Sequence, residues 1–584
     1  MKTRLLPYLY ESVFLLIYVC VLAAIMYPWS MYGFNMQDEG WVLTAYQNIF
    51  SHPQDVSYNF LYYNSMLVGG VWEYLFGEYG LVAFRVLRII VEVLKALIVY
   101  FLLRRYCNKW IIFAGYFLLL MRSTNIVYPY YDHNQLTSLL SLLAIFLLMK
   151  GFENKEKAIP FISAGGMVIG LNIFTRLPNI TLLSLFVTIA LFYFLSRDKR
   201  RSWQLVIAFV GGVSLGCFVE CILMGCLGHW SVFIDNISSG FAASADADST
   251  HNLSSMAGLY GFQLYRWIWF RVCSLIVCGL LLLCLKRVIT NKYLYISVVV
   301  LLAVLYFIFA RQMVKEDWND YLYAISTIML VYAIVYLPDE YKYLSLMSLL
   351  MLYMIPLGSD WGYGSNIIHL AASLSLPLAL CCLAKAWQTQ SINHKIFILP
   401  ICVCLFCVIG TAPVRFTLEA YNKYKDLINT ATDYPVHSPL ATTRNNNASF
   451  SEDLNPLLDT LSEYVKPGDK ILCFQSLAMV HYLTQTRPYL ENAWPWTYTS
   501  TDMERHFQKA MAESTNLPVI VREKSWVANG WRSPYKDWDN SNAVENRYHK
   551  NKKIKLIQDF IKDNSYLVVW ENDLFQIIVP PKDK

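Results

Sequence analysis

Residues 35–50 read NMQDEGWVLTAYQNIF, and this stretch decides the architecture because it follows the first apolar segment of the chain. That segment, near 8–28, is long enough to cross a bilayer. No small-residue cleavage site follows it, so we expect a retained span rather than a signal peptide. The stretch after it holds two adjacent carboxylates, Asp38 and Glu39. Paired acids at the mouth of a span predict a polar site at the membrane rim.

The composition is that of a membrane protein with many spans. Of 584 residues, 56% are hydrophobic and 15% are charged, whereas soluble domains are usually ~45–50% apolar and ~25% charged. The small net charge of +6 is no nucleic-acid footprint, so we expect no nucleic-acid partner. Apolar runs predict about thirteen transmembrane helices, near 8–28, 80–103, 110–127, 136–149, 158–174, 179–195, 203–227, 264–285, 293–310, 320–337, 343–357, 367–384 and 396–413.

Lysine and arginine in the short loops predict the orientation. With the amino terminus in the cytoplasm, the inside segments hold 18 of these residues and the outside turns hold only 4. The two long outside loops, 29–79 and 228–263, contain no lysine or arginine. An odd number of spans then places the carboxy-terminal tail outside the cytoplasm.

The tail differs from the rest of the chain. Residues 1–413 form the predicted transmembrane domain, residues 414–455 a polar linker, and residues 456–584 a small α/β domain. KILCF at 470–474 and LPVIV at 517–521 predict buried strands, and LVVW with FQIIV predicts a terminal hairpin. Helices are expected near 454–465 and 502–513. The chain is therefore predicted to be a polytopic α-helical membrane protein with a C-terminal extracytoplasmic α/β domain.

The paired acids suit catalysis at a helix start. Asn35 can cap a helix beginning at Met36, whose apolar face would rest on the outer membrane surface. The positive end of the helix dipole favours an ionised carboxylate, as a general base requires. The alternative is that Asp38 and Glu39 only satisfy the amides of the first helical turn.

Two further outside turns carry charged side chains. YPYYDHNQL at 128–136 holds Asp132 and His133, although Asp132 could simply cap the next span. GLNIFTRLPN at 170–179 holds Arg176, which could bind a phosphate or only reach lipid headgroups. Three more cationic residues are expected at the same depth: Arg266, Arg311 and Lys315.

The second span contains a stripe of four charges, Arg85, Arg88, Glu92 and Lys95. Charges within a span must pair or face a polar cavity. Arg88 and Glu92, one helical turn apart, form the natural pair, and we interpret the stripe as mainly architectural.

The order of these motifs resembles the GT-C glycosyltransferases, in particular the branch with the protein O-mannosyltransferases and the lipid A aminoarabinose transferase. QDEGW at 37–41 is similar to the acidic pair of their first external loop. Asp132 corresponds to the acid of their second loop. Gly170, Arg176 and Pro178 match a glycine-basic-proline turn, although lysine is commoner at the basic position. The tail has no WWD-type motif, unlike that of the oligosaccharyltransferases.

The resemblance implies an inverting enzyme that takes a sugar from a polyprenyl-phosphate donor and passes it to a lipid, glycan or protein acceptor. Asp38 would be the base, and Glu39 would orient the acceptor or share a divalent cation. Asp132 and His133 would position substrate or metal. Arg176, with Arg266, Arg311 and Lys315, would hold the phosphate, and Tyr62 and Tyr63 would line the lipid or sugar path.

Other functions fit part of the pattern. A lipid-linked glycan flippase or transporter would also have many spans and buried charges, but would not need acids in two outside turns. A glycan ligase or polymerase of the cell envelope would use the same chemistry on a larger donor. A non-catalytic scaffold would use only the tail. The tail's lack of disulfide pairs favours a bacterial inner membrane, with the tail in the periplasm.

Overall fold

The computed structural model describes residues 2–126, 129–244, 249, 252–359, 362–363, 365–445, 447–513, 516–526, 533–534 and 550–581. Apolar helices make up most of the chain. The helices are α1 (Lys2–Ser30), α2 (Asp38–Asn48), α3 (Tyr63–Phe76), α4 (Leu81–Leu103), α5 (Lys109–Ile126), α6 (His133–Glu153), α7 (Ala158–Thr175), α8 (Val187–Ser196), α9 (Lys199–Cys226), α10 (Trp230–Ser244), α11 (Leu253–Gln263), α12 (Phe270–Val288), α13 (Lys292–Tyr336), α14 (Asp339–Met354), α15 (Ser365–Thr389), α16 (Ile392–Ile428), α17 (Ala448–Leu461), α18 (Ala478–Thr484), α19 (Ser500–Glu513) and α20 (Lys550–Asp563).

Shorter helical segments join some of these helices. A π-helical segment, Leu264–Trp269, leads into α12. Segments of 3₁₀ helix cover Pro53–Tyr62, Gly77–Tyr79, Leu177–Phe186, Thr430–Thr432 and Pro495–Thr497.

Within the described residues, eight helical stretches are long and apolar enough to cross a membrane, and the chain is an integral membrane protein. Helix α4 falls outside this group because of its four charges, and α5 and the two ends of α13 are shorter apolar helices. The eight are Leu9–Ser30, His133–Glu153, Ala158–Thr175, Leu177–Ser196, Lys199–Cys226, Ser254–Val288, Leu370–Thr389 and Ile392–Ile428.

The predicted spans 293–310 and 320–337 lie in one helix, α13. Contacts near its two ends limit how far apart these ends can lie. Tyr295 donates to the carbonyl of Leu282, and Tyr332 contacts His394. Lys286, one helical turn from Leu282 in α12, donates to Asn393, which directly precedes His394. This hydrogen bond links the two sets of contacts. A straight helix would hold Tyr295 and Tyr332 about 55 Å apart, farther than these linked contacts allow, so α13 is not straight between them.

Loops that were predicted to share a side of the membrane meet at one end of the bundle. Tyr341 donates to the carbonyl of Tyr106, and the hydroxyl of Tyr106 donates to Glu153 at 2.7 Å. These three residues border predicted cytoplasmic loops. The predicted outside turns meet at the opposite end, as described below. The compartment that each end faces stays a prediction.

The tail contains the predicted sheet. Its strand order is β2 (Arg487–Pro488), β1 (Lys470–Phe474), β3 (Val519–Glu523), β7 (Phe575–Val579) and β6 (Leu567–Glu571), and a separate pair joins β4 (Ser525–Trp526) and β5 (Ser533–Pro534). Strand β1 runs parallel to β2 and β3, whereas β7 is antiparallel to β3 and β6. The two predicted strands, the terminal hairpin and both tail helices are confirmed.

The tail and the loop between α1 and α4 share one hydrophobic core. Val42 and Leu43 of α2 belong to the same buried cluster as Met479 of α18 and Ile577 of β7. A separate cluster fills the space between the membrane helices. The tail therefore folds against the first loop, and its core is completed by residues more than 400 positions away.

Candidate active site

Helix α2 begins at Asp38, two residues later than predicted. The side chain of Asn35 accepts a hydrogen bond from the amide of Gln37 at 2.8 Å, and Glu39 accepts one from the amide of Asn35 at 2.9 Å. These two hydrogen bonds form a tight turn just before the helix. Asp38 is therefore the first helical residue, at the positive end of the helix dipole.

The two adjacent acids occupy different environments. Glu39 is fully buried, and its Oε1 lies 2.6 Å from Nη2 of Arg85 in α4. The same guanidinium donates to the carbonyl of Gly33 at 3.0 Å. Asp38 is partly exposed. Glu39 thus holds α2 to α4, while Asp38 stays accessible.

The predicted placement of α2 on the membrane surface is wrong. Trp41, Ala45 and Ile49 share one face as expected, but this face and most of the remaining helix are buried within the protein. The polar side is covered by the tail, because Thr44 and Gln47 donate to carbonyls of α18 at 3.4 Å.

Tyr62 connects the first and second of the turns predicted to lie outside. Its ring lies 5.5 Å from that of Trp41, in an edge-to-face arrangement, and 4.0 Å from that of His133. His133 directly follows Asp132 and is partly exposed, as is Tyr62. The structure therefore brings the start of α2 and the start of α6 to one rim, as the sequence predicts.

Asp132 caps helix α6. Its Oδ1 accepts from the amides of Asn134 and Gln135, and the Gln135 side chain accepts from the Asp132 amide at 2.7 Å. This reciprocal arrangement is a capping box. Asp132 therefore caps the span, as the alternative interpretation of the sequence allowed. The capping bonds fix the position of Asp132 beside the His133 ring.

Arg176 organises a second group of outside turns. It donates to the carbonyls of Ile355 and Leu357 at 3.1 and 2.6 Å. Gly358, in the left-handed region at φ 86°, packs directly on Pro178, where a β-carbon would collide. Arg176 is buried, and Asn179, three residues after it, donates to Thr137 of α6 at 2.9 Å.

The other three predicted cationic residues are not shown at this rim. Arg266 is exposed and lies over the Phe262 ring at 5.4 Å. The side chains of Arg311 and Lys315 lie outside the described part of the structure.

Tyr63 faces a different neighbour from Tyr62. It is fully buried, and its hydroxyl lies 3.1 Å from Nδ1 of His229, which follows α9. The next residue, Asn64, donates to Glu220 in α9 at 2.8 Å. This placement favours a packing role for Tyr63. Glu220 and His229 were missed, although an acid in the apolar run around Glu220 is a recognisable signal.

The tail covers the rim and touches the start of α2. Gln37 donates to Ser476 Oγ at 2.5 Å, and the amide of Met479 donates to the carbonyl of Met36 at 2.9 Å. Gly40 lies against the backbone of Met479, leaving no room for a side chain. The glycine after the acidic pair was the signal for this close approach, which sequence reasoning did not interpret.

Ion pairs fasten the tail to the first loop. Asp55 lies 2.6 Å from Lys470 and 3.1 Å from Arg487. Glu491 of the tail contacts His506 and Lys509 of α19. Burial alone would raise the pKa of Glu491, but hydrogen bonds from these two side chains and their charges lower it to about 2.

The resemblance also allows a divalent cation at this site, and this stays a prediction. Within the described ranges, no group of three or more histidine, cysteine, aspartate or glutamate side chains could hold an ion. Glu39 and Asp132 use their oxygen atoms in the ion pair and the cap. No catalytic step is therefore assigned to a divalent cation.

No protein-family model and no curated protein sequence matches the chain. Among solved structures, it is similar to ArnT from Cupriavidus metallidurans in the apo state, with 11% identity and a TM-score of 0.47 over 97% of this chain and 98% of that one. The same protein bound to undecaprenyl phosphate shows 10% identity and a TM-score of 0.49, covering 98% of this chain and 99% of that one.

A third similar structure is the Archaeoglobus fulgidus oligosaccharyltransferase tethered with an acceptor peptide. It shows 12% identity and a TM-score of 0.43, covering 88% of this chain and 69% of that one. Both proteins are GT-C glycosyltransferases, the group that the sequence motifs resemble. At such identities the likeness concerns the overall arrangement, and a function has to follow from this chain's own side chains.

Proposed function

We propose that the chain is an inverting glycosyltransferase that moves a sugar from a polyprenyl-phosphate donor to a lipid, glycan or protein acceptor. The observation that carries this proposal is the shared rim. There the accessible Asp38 begins α2, Tyr62 joins that helix to His133, and the tail covers the start of α2. A covered polar rim beside apolar helices suits a sugar that is still attached to a lipid.

Asp38 is the proposed base. It takes the proton of the acceptor hydroxyl while the oxygen attacks the anomeric carbon of the sugar. The bond between that carbon and the phosphate oxygen breaks on the opposite face, and the phosphate leaves with the electron pair. Glu39 does not share this role, because Arg85 engages it. Its part is to hold the helix that presents Asp38.

The leaving phosphate needs cationic partners rather than a strong acid. We assign this role to Arg176, because Asn179, three residues further, donates to Thr137 at 2.9 Å, one helical turn after His133. His133 and Tyr62 form the partly exposed wall against which the sugar would lie.

The decisive experiment supplies purified full-length protein with cell-envelope extract as the source of acceptor and with several radiolabelled polyprenyl-phosphate sugars, and follows loss of the label from the lipid. Consumption of one donor by the wild-type protein, with none by Asp38→Asn, is the expected result. A flippase would instead move the lipid across vesicles without changing its glycan. Consumption at the wild-type rate by the variant removes Asp38 as the base.

The proposed setting is a bacterial inner membrane, with the amino terminus in the cytoplasm and the tail in the periplasm. This orientation follows from the excess of lysine and arginine in the inside loops. Protease added to intact spheroplasts should cleave the tail. Protection of the tail in spheroplasts, with cleavage after lysis, reverses the orientation.

A further inference from the structure

Helix α4 buries three cationic side chains, Arg85, Arg88 and Lys95, each at most 1% exposed. Two of them have a carboxylate partner. Arg85 pairs with Glu39 at 2.6 Å and Lys95 with Glu92 at 2.8 Å. Arg88 was expected to pair with Glu92, but that expectation is wrong, because Glu92 is engaged by Lys95 and by the hydroxyl of Tyr116 at 2.7 Å.

Arg88 is consequently a buried guanidinium with unused donors. Neither Nε nor Nη1 has a hydrogen-bond partner in the described part of the chain. The same two atoms of Arg85 also lack one. Burying an arginine without acceptors is strongly unfavourable, and native proteins rarely do so unless an ion, water or ligand completes the site.

The unused donors lie beneath the candidate active site. Arg88 is one helical turn from Arg85, which holds the start of α2 through Glu39. The guanidinium of Arg85 also lies 5.9 Å from the centre of the Tyr130 ring, two residues before Asp132. Arg88 therefore lies one helical turn from the point where both turns of the rim meet α4.

We propose that Arg88, with the unpaired side of Arg85, binds the phosphate group of the substrate. This inference rests on the proposed function, since the phosphate is that of the lipid-linked donor. Guanidinium groups present their N–H donors in a planar fork that matches phosphate oxygens. The cost of keeping Arg88 unpaired is offset only when the anion is bound.

The test compares the thermal unfolding of full-length protein in detergent, with and without ligand. Arg88→Met removes the charge and keeps a long side chain, while Arg88→Lys keeps the charge. The matched control is Lys95→Met, which removes an equally buried cation from the same helix but leaves Glu92 without its counter-charge. The probes are a polyprenyl monophosphate, inorganic phosphate and phosphatidylglycerol.

We expect the unliganded Arg88→Met protein to melt at or above the wild-type temperature, because an unpaired buried charge has been removed, and Lys95→Met to melt lower. Polyprenyl phosphate should raise the melting temperature of wild type and of Lys95→Met. Its Kd should be at least ~10-fold weaker for Arg88→Met, as expected for a lost charged hydrogen bond.

Other outcomes separate this inference from the proposed function. If Arg88→Met melts lower yet responds normally to polyprenyl phosphate, Arg88 is structural and the inference is overturned. An Arg88-dependent response to inorganic phosphate alone supports the anion site but opposes a lipid-linked donor. An equal response to phosphatidylglycerol identifies a phospholipid site and overturns the donor assignment. No response to any of the three anions overturns the inference, and the sugar-consumption assay then decides the proposed function by itself.

Discussion

The carboxylate of Glu39 lies 2.6 Å from the guanidinium of Arg85, and both side chains are fully buried. Its neighbour Asp38 is partly exposed at the first position of the same helix. Two adjacent acids therefore have separate roles, one in holding α2 and one in the proposed chemistry. Substitutions at the two positions should consequently fail in different ways.

The first prediction concerns Asp38→Asn. Asparagine keeps the size and the helix-start position but cannot accept the acceptor proton. We expect transfer to fall by at least ~10²–10⁴-fold, the usual contribution of a general base, with a melting temperature close to that of wild type. Sugar consumption and thermal unfolding measured on the same preparation check both parts. An equal loss of stability and activity contradicts the catalytic role.

Glu39→Gln is the matched second prediction. Glutamine can still accept from the Asn35 amide, but Arg85 loses its counter-charge in a buried site. Breaking a buried ion pair in this way costs about 3–5 kcal/mol, so the melting temperature should fall strongly. A Glu39→Gln protein that is as stable as wild type but inactive would instead place Glu39 in the chemistry.

Gly40→Ala tests the docking of the tail on α2. A β-carbon at Gly40 would collide with the backbone of Met479, which cannot move aside as a flexible side chain could. We expect a loss of about 1–3 kcal/mol from overpacking and easier proteolysis of the tail. Gly211→Ala is the control, because its β-carbon would meet nothing within 4 Å. That variant should be unchanged or slightly more stable.

Local sequence signals predicted most elements but not their contacts. KILCF and FQIIV have the apolar character of buried strands, and both form strands. The start of α2 was misplaced by two residues, because Asn35 and Glu39 form hydrogen bonds with backbone amides before the helix. The pairing of Glu39 with Arg85 spans 46 positions of sequence, and no local pattern encodes it. The polar residues Thr44 and Gln47 indicated a solvent-facing side, but the tail supplies their acceptors.

Part of the candidate site could also be predicted, because some of its residues carry local sequence signals. Asp38, Asp132 and His133 were singled out because titratable side chains in the turns of an apolar chain are conspicuous; the structure places the starts of α2 and α6 at one rim, and their catalytic roles stay predictions. The unpaired state of Arg88 could not be predicted, because Glu92 is equally well placed for Arg88 and for Lys95 along the helix. In the structure Glu92 pairs with Lys95 and also accepts from Tyr116 of the next helix.

The ion pairs of Asp55 give the next prediction. Arg487 is the more buried of its two partners and also donates to the carbonyl of Gly468. Lys470 is more exposed, so solvent screens its pair with Asp55. Arg487→Ala should therefore destabilise the docking of the tail by about 1–3 kcal/mol. Lys470→Ala should destabilise it by less than about 1 kcal/mol.

Hydrogen exchange of the tail amides at low and high salt measures both effects. A double-substitution cycle with Asp55→Asn isolates each pair energy. Equal effects of the two basic substitutions contradict the ranking by burial.

The last prediction concerns pH and Glu491. Its pKa is lowered from 4.5 to about 2 in the folded protein, so the unfolded tail binds more protons than the folded tail between these values. Glu491 therefore contributes stability above about pH 4.5 that is lost as the pH falls toward 2, up to about 3 kcal/mol. Glu491→Gln should flatten this part of the stability curve. A variant with the same pH dependence as wild type contradicts the assignment.

The contact between α2 and the tail limits how this protein could be recombined with others. Met36, Gln37 and Gly40 fit the backbone and side chains that begin α18. A chimera joined after α16 would place a foreign tail on a helix shaped for the original one. Exchanging residues 34–62 together with the tail transfers both of the segments that contact each other. We expect only such paired exchanges to yield folded hybrids.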